Sequence, residues 1–342
     1  MTMKILYGVQ GTGNGHISRT RIMANHFTNK GCEVDYLFSG RAADQYFAME
    51  PFSQQHEPIY KRGLTFQVKA GKIQKIETLK HNNLFQFYQE VKQLDLSLYD
   101  VVISDFEPVS AWAAKMQNVA SIGIGHQYAF LHDIPVDGDN VLSHNLLRYF
   151  APVKHAVGLH WHHFNQPILP PIIDTSLKAA PANERKILVY LPFEDQALLT
   201  KILSSLPQAQ FYQYGQGLTD QDLGNVHTRK PSLSGFKQDL MQAHAVISNA
   251  GFELLSECMH IGLAMLIKPL AGQMEQESNA KALRQLGYAK TMATLDKVTI
   301  EQWLNQGLTT AARPLPDVAD KLTDWVLAGN WQDHQGLMKQ LW

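Results

Sequence analysis

Two cysteines in 342 residues, Cys32 and Cys258, are too few for a disulfide framework and fit a reducing compartment. No run of about 18 apolar residues occurs, so the sequence contains no membrane-span pattern. An excess of one charge is lacking too. The formal net charge is −1, which removes the bulk electrostatic case for a nucleic-acid partner. The tripeptide Gly-Lys-Ser/Thr is absent, and with it the P-loop. Met1-Thr2-Met3-Lys4 leads straight into an apolar strand pattern rather than a signal peptide. The expected location is the cytoplasm, with the inner face of the membrane as the variant. What is present is ordinary for a folded α/β chain: 45% hydrophobic and 18% charged residues, with a length that favours two domains.

The apolar run Ile5-Leu6-Tyr7-Gly8-Val9 is followed by Gly11-Thr12-Gly13-Asn14-Gly15-His16, and then by a helical pattern from Ile17 to Asn29. A glycine turn between strand and helix brings backbone N–H groups and a positive dipole end to one place, which suits an anion. A dinucleotide fingerprint would need glycine where His16 stands, and an acid where Ser39-Gly40 follow the second strand. The loop is therefore no standard nucleotide motif. His16 at its mouth is a candidate general base.

Further along, 51–80 is irregular and carries Lys61, Arg62, Lys69, Lys72 and Lys75; it reads either as a solvated excursion or as a loop over an acceptor pocket. Leu84, Phe87, Tyr88, Val91 and Leu94 form a helical stripe expected to face the core. The strand Asp100–Ser104 ends in Asp105-Phe106-Glu107-Pro108. Either carboxylate could orient His16, and helix capping is the competing reading. His126-Gln127 falls at the ligand-binding end of the strand Ala120–Gly125. His155, His160, His162 and His163 lack nearby Cys or carboxylate partners, so no metal site is expected. Leu146, Leu147, Tyr149 and Phe150 with Arg148 and Lys154 fit a peripheral membrane contact, or a core helix with two exposed cations.

The stretch 165–184 holds Pro167, Pro170, Pro171 and Pro181 and reads as a linker. Beyond it, Lys186-Ile187-Leu188-Val189-Tyr190 echoes the first strand. The strand Ala245–Ile247 meets a second junction, Ser248-Asn249-Ala250-Gly251, before the helix Phe252–His260 with Glu257 inside it. Glu275 and Gln276 together accept from and donate to vicinal hydroxyls. The expected organisation is α/β: residues 1–164 a Rossmann-like acceptor-side domain, 165–184 a linker, 185–315 a second Rossmann-like domain, and 316–342 a helical return across the hinge.

Ser248-Asn249-Ala250-Gly251…Ser256-Glu257…Gly262…Pro269…Glu275-Gln276…Asn279-Ala280 resembles the nucleotide-sugar signature of GT-B glycosyltransferases, and Gly13-Asn14-Gly15-His16 resembles their Gly-His loop. The resemblance is to the family-28-like and family-1-like enzymes. These include the one that adds N-acetylglucosamine to the peptidoglycan lipid precursor, a role in cell-envelope or glycoconjugate biosynthesis. It implies two doubly wound domains facing across a cleft, and metal-independent, inverting transfer from a nucleotide-diphosphate sugar, UDP-linked as the class expectation, to an acceptor hydroxyl. No cofactor beyond the nucleotide sugar is implied. By that resemblance His16 is the base and Asp105 its partner. Gly13, Asn14, Gly15, Asn249 and Gly251 face the donor diphosphate, Phe236 the nucleobase, Glu257 the ribose, Glu275 and Gln276 the sugar, and Glu107 and His126 the acceptor. The acceptor itself, whether glycan, lipid or small molecule, is left open. A nucleotide-sugar 2-epimerase or hydrolase of the same fold, or a non-catalytic nucleotide-sugar-binding protein, are the alternative readings.

Overall fold

The computed structural model describes residues 3–65, 68–69, 72–73, 82–137, 148–180, 185–308 and 311–342. The strands run β1 (Lys4–Gln10), β2 (Glu33–Ser39), β3 (Ile59–Tyr60), β4 (Val68–Lys69), β5 (Lys72–Ile73), β6 (Val101–Asp105), β7 (Ala120–Gly125), β8 (His155–Leu159) and β9 (Ile168–Leu169) in the first half. The second half has β10 (Lys186–Tyr190), β11 (Gln210–Tyr214), β12 (Gln221–Leu223), β13 (Val226–Arg229), β14 (Ala245–Asn249), β15 (Ala264–Lys268) and β16 (Lys290–Thr291). The helices are α1 (Asn14–Asn29), α2 (Leu84–Gln93), α3 (Pro108–Gln117), α4 (Gln196–Ser204), α5 (Leu233–Gln242), α6 (Phe252–Ile261), α7 (Met274–Gln285), α8 (Lys297–Asn305), α9 (Val318–Ala328) and α10 (His334–Leu341).

Two seven-stranded sheets result, ordered β3-β2-β1-β6-β7-β8-β9 and β12-β13-β11-β10-β14-β15-β16. Every pairing in them is parallel except β12 with β13. Parallel strands need crossovers, and the helices of those crossovers cover both sheet faces, so the central strands are buried end to end. β6 and β14 show this, with all five residues of each buried. In each sheet the strand order reverses beside the central strand, between β1 and β6 and between β10 and β14. The carboxyl ends at such a reversal form a crevice. The first crevice holds Gly11–His16 and Asp105; the second holds Ser248–Gly251.

Three expectations change here. The stretch 165–184 is not all connection, because Ile168–Leu169 pairs with β8 and extends the first sheet. The stripe on α2 is core only at its end: Val91 and Leu94 are buried, while Leu84 and Tyr88 stand in solvent beside an exposed Phe85. Helix α1 begins at Asn14, before the apolar periodicity starts, which places His16 within its first turn. Leu146, Leu147 and Lys75 lie outside the described residues; of the neighbouring patch, Phe150 is buried and Tyr149 exposed. Among the described residues no helix is long and apolar enough to cross a membrane.

After α8 the chain returns to the first sheet. Helix α9 lies along α1, with Lys30 Nζ 2.9 Å from Asp320 and also paired with Asp324. The indole of Trp342 donates to Ile168 O at 2.7 Å.

Candidate active site

His16 is set by α1 and Asp105 by the last residue of β6, which lies beside Val9 in the register of β1. Nδ1 of His16 is 2.7 Å from Asp105 Oδ1. Asp105 has no solvent exposure, whereas the His16 side chain retains 15%. Burial alone would push the Asp105 carboxyl up, but the Arg19 guanidinium and His16 outweigh it and hold it below the ordinary range. A carboxylate in that state only accepts, so the 2.7 Å contact takes the hydrogen of Nδ1 and leaves the lone pair on Nε2; Arg19 Nη2 also stands 3.1 Å from Nδ1, a donor facing a donor that makes no hydrogen bond in this tautomer.

Arg19 sits one helical turn beyond His16 on the same face of α1. Its Nε donates to Asp105 Oδ2 at 2.9 Å, and its Nη2 donates to Oδ1. Its Nη1 reaches across the cleft to Glu253 Oε1, in the first turn of α6. Burial works against the Arg19 charge, yet the two carboxylates keep the guanidinium firmly protonated. Neither Arg19 nor Glu253 was singled out from the sequence. The available signals were the three-residue spacing from His16 and an acid in the first turn after the second glycine junction.

Glu107 does not join this cluster. It is fully buried, caps α3 by accepting from Val109 N at 2.8 Å and Ser110 N at 2.6 Å, and accepts from Ser39 Oγ at 2.6 Å. Its expected place on the acceptor side gives way to the capping role, because all its lone pairs face its own domain. His126 is likewise buried. Its ring stacks on Phe252 at 4.0 Å, Nδ1 meets Leu159 O at 2.8 Å, and Nε2 meets Asn279 Oδ1 at 2.6 Å. In this arrangement it joins the two halves and offers no nitrogen to an acceptor.

The donor-side candidates divide. Gly13 and Gly251 cap α1 and α6, and at each the space where a Cβ would stand is open. Two helix N-termini with unpaired N–H groups and room in front of them form an anion-binding geometry. Asn14 accepts from Arg41 Nη1 at 3.1 Å. Asn249 donates to Lys268 O at 2.9 Å, and its buried Oδ1 has no partner. Glu257 is 3.9 Å from Lys237 Nζ, and Lys237 also pairs with Asp174 at 3.2 Å. Burial pushes the Glu257 carboxyl up to about 7, against the pull of Lys237. Phe236 packs edge-on against Tyr190 and Tyr214, with ring centroids 5.3 and 5.1 Å away. Glu275 accepts from Gln127 across the cleft at 3.0 Å, while Gln276 Oε1 is occupied by Leu270 N at 3.0 Å. Of that pair, only Glu275 faces the other half.

The family model for Glycosyl transferase family 1 matches residues 3–307. The chain belongs to that family. It is a glycosyltransferase, and solved structures share its fold of two Rossmann-like domains. Arabidopsis thaliana UGT89C1, complexed with UDP, is 12% identical with a TM-score of 0.61 over 99% of each chain. Acinetobacter baumannii MurG is 16% identical with a TM-score of 0.56, over 89% of this chain and 90% of that one. The glycosyltransferase VinC, in complex with dTDP, is 12% identical with a TM-score of 0.54, over 97% of this chain and 96% of that one. No match is found among curated protein sequences.

Proposed function

We propose that this glycosyltransferase moves a sugar from a nucleotide-diphosphate sugar to an acceptor hydroxyl, inverting the anomeric carbon, with His16 as general base and without a metal. The observation that carries this reading is the His16–Asp105 contact at 2.7 Å, which leaves Nε2 as the basic nitrogen. The acceptor O–H gives its proton to Nε2 as its oxygen bonds to the anomeric carbon. The bond from that carbon to the diphosphate breaks, and the electron pair leaves on the nucleoside diphosphate. N–H groups at the starts of α1 and α6, around Gly13, Asn14, Gly15 and Gly251, stabilise the departing charge. Asn249 Oδ1, buried and without a partner, is an acceptor and so takes a hydroxyl of the donor rather than the departing charge. Glu257 takes the ribose hydroxyls, Phe236 the base, and Glu275 with Gln276 the transferred sugar. The relatives solved with UDP and with dTDP support a pyrimidine nucleotide, UDP being the first to try. The acceptor belongs to the glycans, lipids or small molecules.

A panel of nucleotide sugars screened by thermal stabilisation identifies the donor, because a ligand that binds only the folded state raises the melting temperature. His16→Ala is then expected to keep that stabilisation and to lose transfer by roughly 10²–10⁴-fold. Full transfer by this variant would remove His16 as the base. Interconversion of the donor sugar without an acceptor would favour the epimerase reading.

A further inference from the structure

Asp105 is the only carboxylate in contact with His16 among the described residues, yet both its oxygens already accept from Arg19. Arg19 and Asp105 therefore neutralise one another. A proton arriving on His16 would leave the cluster with one net positive charge in a place where Arg19 is 1% and Asp105 0% exposed. Uncompensated charge is costly in such surroundings. Glu253 corrects the count. It belongs to the opposite domain, at the start of α6, and one of its oxygens pairs with Arg19 Nη1 while the other lies against Gly15. With Glu253 in place, two cations (Arg19 and protonated His16) meet two anions (Asp105 and Glu253). Thr20, whose hydroxyl lies 3.4 Å from Asp105 Oδ2, and the buried phenols of Tyr7 and Tyr128 face the Arg19–Asp105 pair uncharged, while Glu257, on α6 with Glu253, is a further acid that acts on Glu253.

We propose that Glu253 is a positioning residue that supplies, through Arg19, the counter-charge for the proton His16 takes up. This rests on the base role given to His16 above. Its consequence is that proton abstraction is tied to domain closure: with the cleft open, α6 takes Glu253 away from Arg19 and the base loses its second anion.

Glu253→Gln keeps the shape and removes the charge at a partly exposed position. A matching melting temperature for the variant establishes that it folds. In ¹⁵N-histidine spectra recorded across a pH series, with and without saturating UDP, His16 of the variant is expected to bind its second proton about three- to tenfold more weakly than His16 of the wild type, while the exposed His56 behaves the same in both. An unchanged His16 signal in both conditions overturns the proposal. A kinetic cycle with the donor found above separates this from failure of the base reading. Glu253→Gln should lower kcat about tenfold with little change in donor KM, and should have no further effect on the residual rate of His16→Ala. Full activity in His16→Ala would sink the base assignment alone, leaving the spectra to decide on Glu253. Additive losses in the double variant would show that Glu253 acts independently of His16 and refute its role.

Discussion

Asp105 and Glu107 are two residues apart, yet only Asp105 reaches His16, at 2.7 Å, because the left-handed backbone of Phe106 (φ 52°) between them turns the chain. Asp105→Asn keeps the shape but replaces a carboxylate that fixes the imidazole tautomer with an amide that does not. A fall in kcat of about 10²–10⁴-fold is expected, with donor KM within a few-fold of wild type, as steady-state kinetics would record. Retained kcat would leave His16 without need of an orienting partner.

Glu107 should behave as a cap. Its removal in Glu107→Ala leaves Val109 N, Ser110 N and Ser39 Oγ without their acceptor. Urea unfolding should show a loss of about 1–3 kcal/mol, while activity per folded molecule is preserved. A selective rise in acceptor KM at unchanged stability would return Glu107 to the acceptor side.

The raised Glu257 carboxyl gives donor binding a pH signature. Under the proposed role, ribose hydroxyls donating to Glu257 would favour its charged form, so donor binding would draw the pKa down from about 7. Affinity for uridine, which has the ribose but no titrating phosphate, should therefore be about tenfold higher near pH 8 than near pH 6. Calorimetry on Glu257→Gln should give a flat profile; a wild-type profile equally flat would separate Glu257 from the ribose.

The same shift predicts stability. A carboxyl raised on folding costs nothing below its ordinary value of 4.5, and its full cost is reached above about 7. Glu257→Gln is thus expected to raise the melting temperature near pH 8 and to leave it unchanged near pH 4. Melting curves at the two pH values check this, and a variant less stable at high pH would contradict it.

The parts of this fold that were legible in the sequence are those where local pattern and tertiary role coincide. Two strand–glycine–helix junctions locate the two crevices, because a buried parallel strand is apolar throughout and its turn requires small residues. Arg19 and Glu253 were not legible, since their pairing spans 234 residues and nothing local distinguishes either from a surface charge. Glu107 was ambiguous for the converse reason: an acid before Pro108 serves equally as cap or ligand until its hydrogen bonds are seen. The two-residue strand Ile168–Leu169 is too short to show alternation among its prolines. On α2 the apolar spacing was correctly periodic, but periodicity says nothing of whether a partner covers the face, and Leu84 and Tyr88 have none that buries them.

The chain passes between the two sheets twice, once after β9 and again before α9. The second passage lies along the far end of α6, where Arg313 N donates to Met259 O at 3.0 Å and Leu315 N to His260 Nδ1 at 2.9 Å. One passage would be a tether, leaving the domains free to swivel in any direction; two define a line. Glu253 stands at the opposite end of that same helix, α6, so the segment that returns the chain to the first sheet and the residue that meets Arg19 share one rigid element.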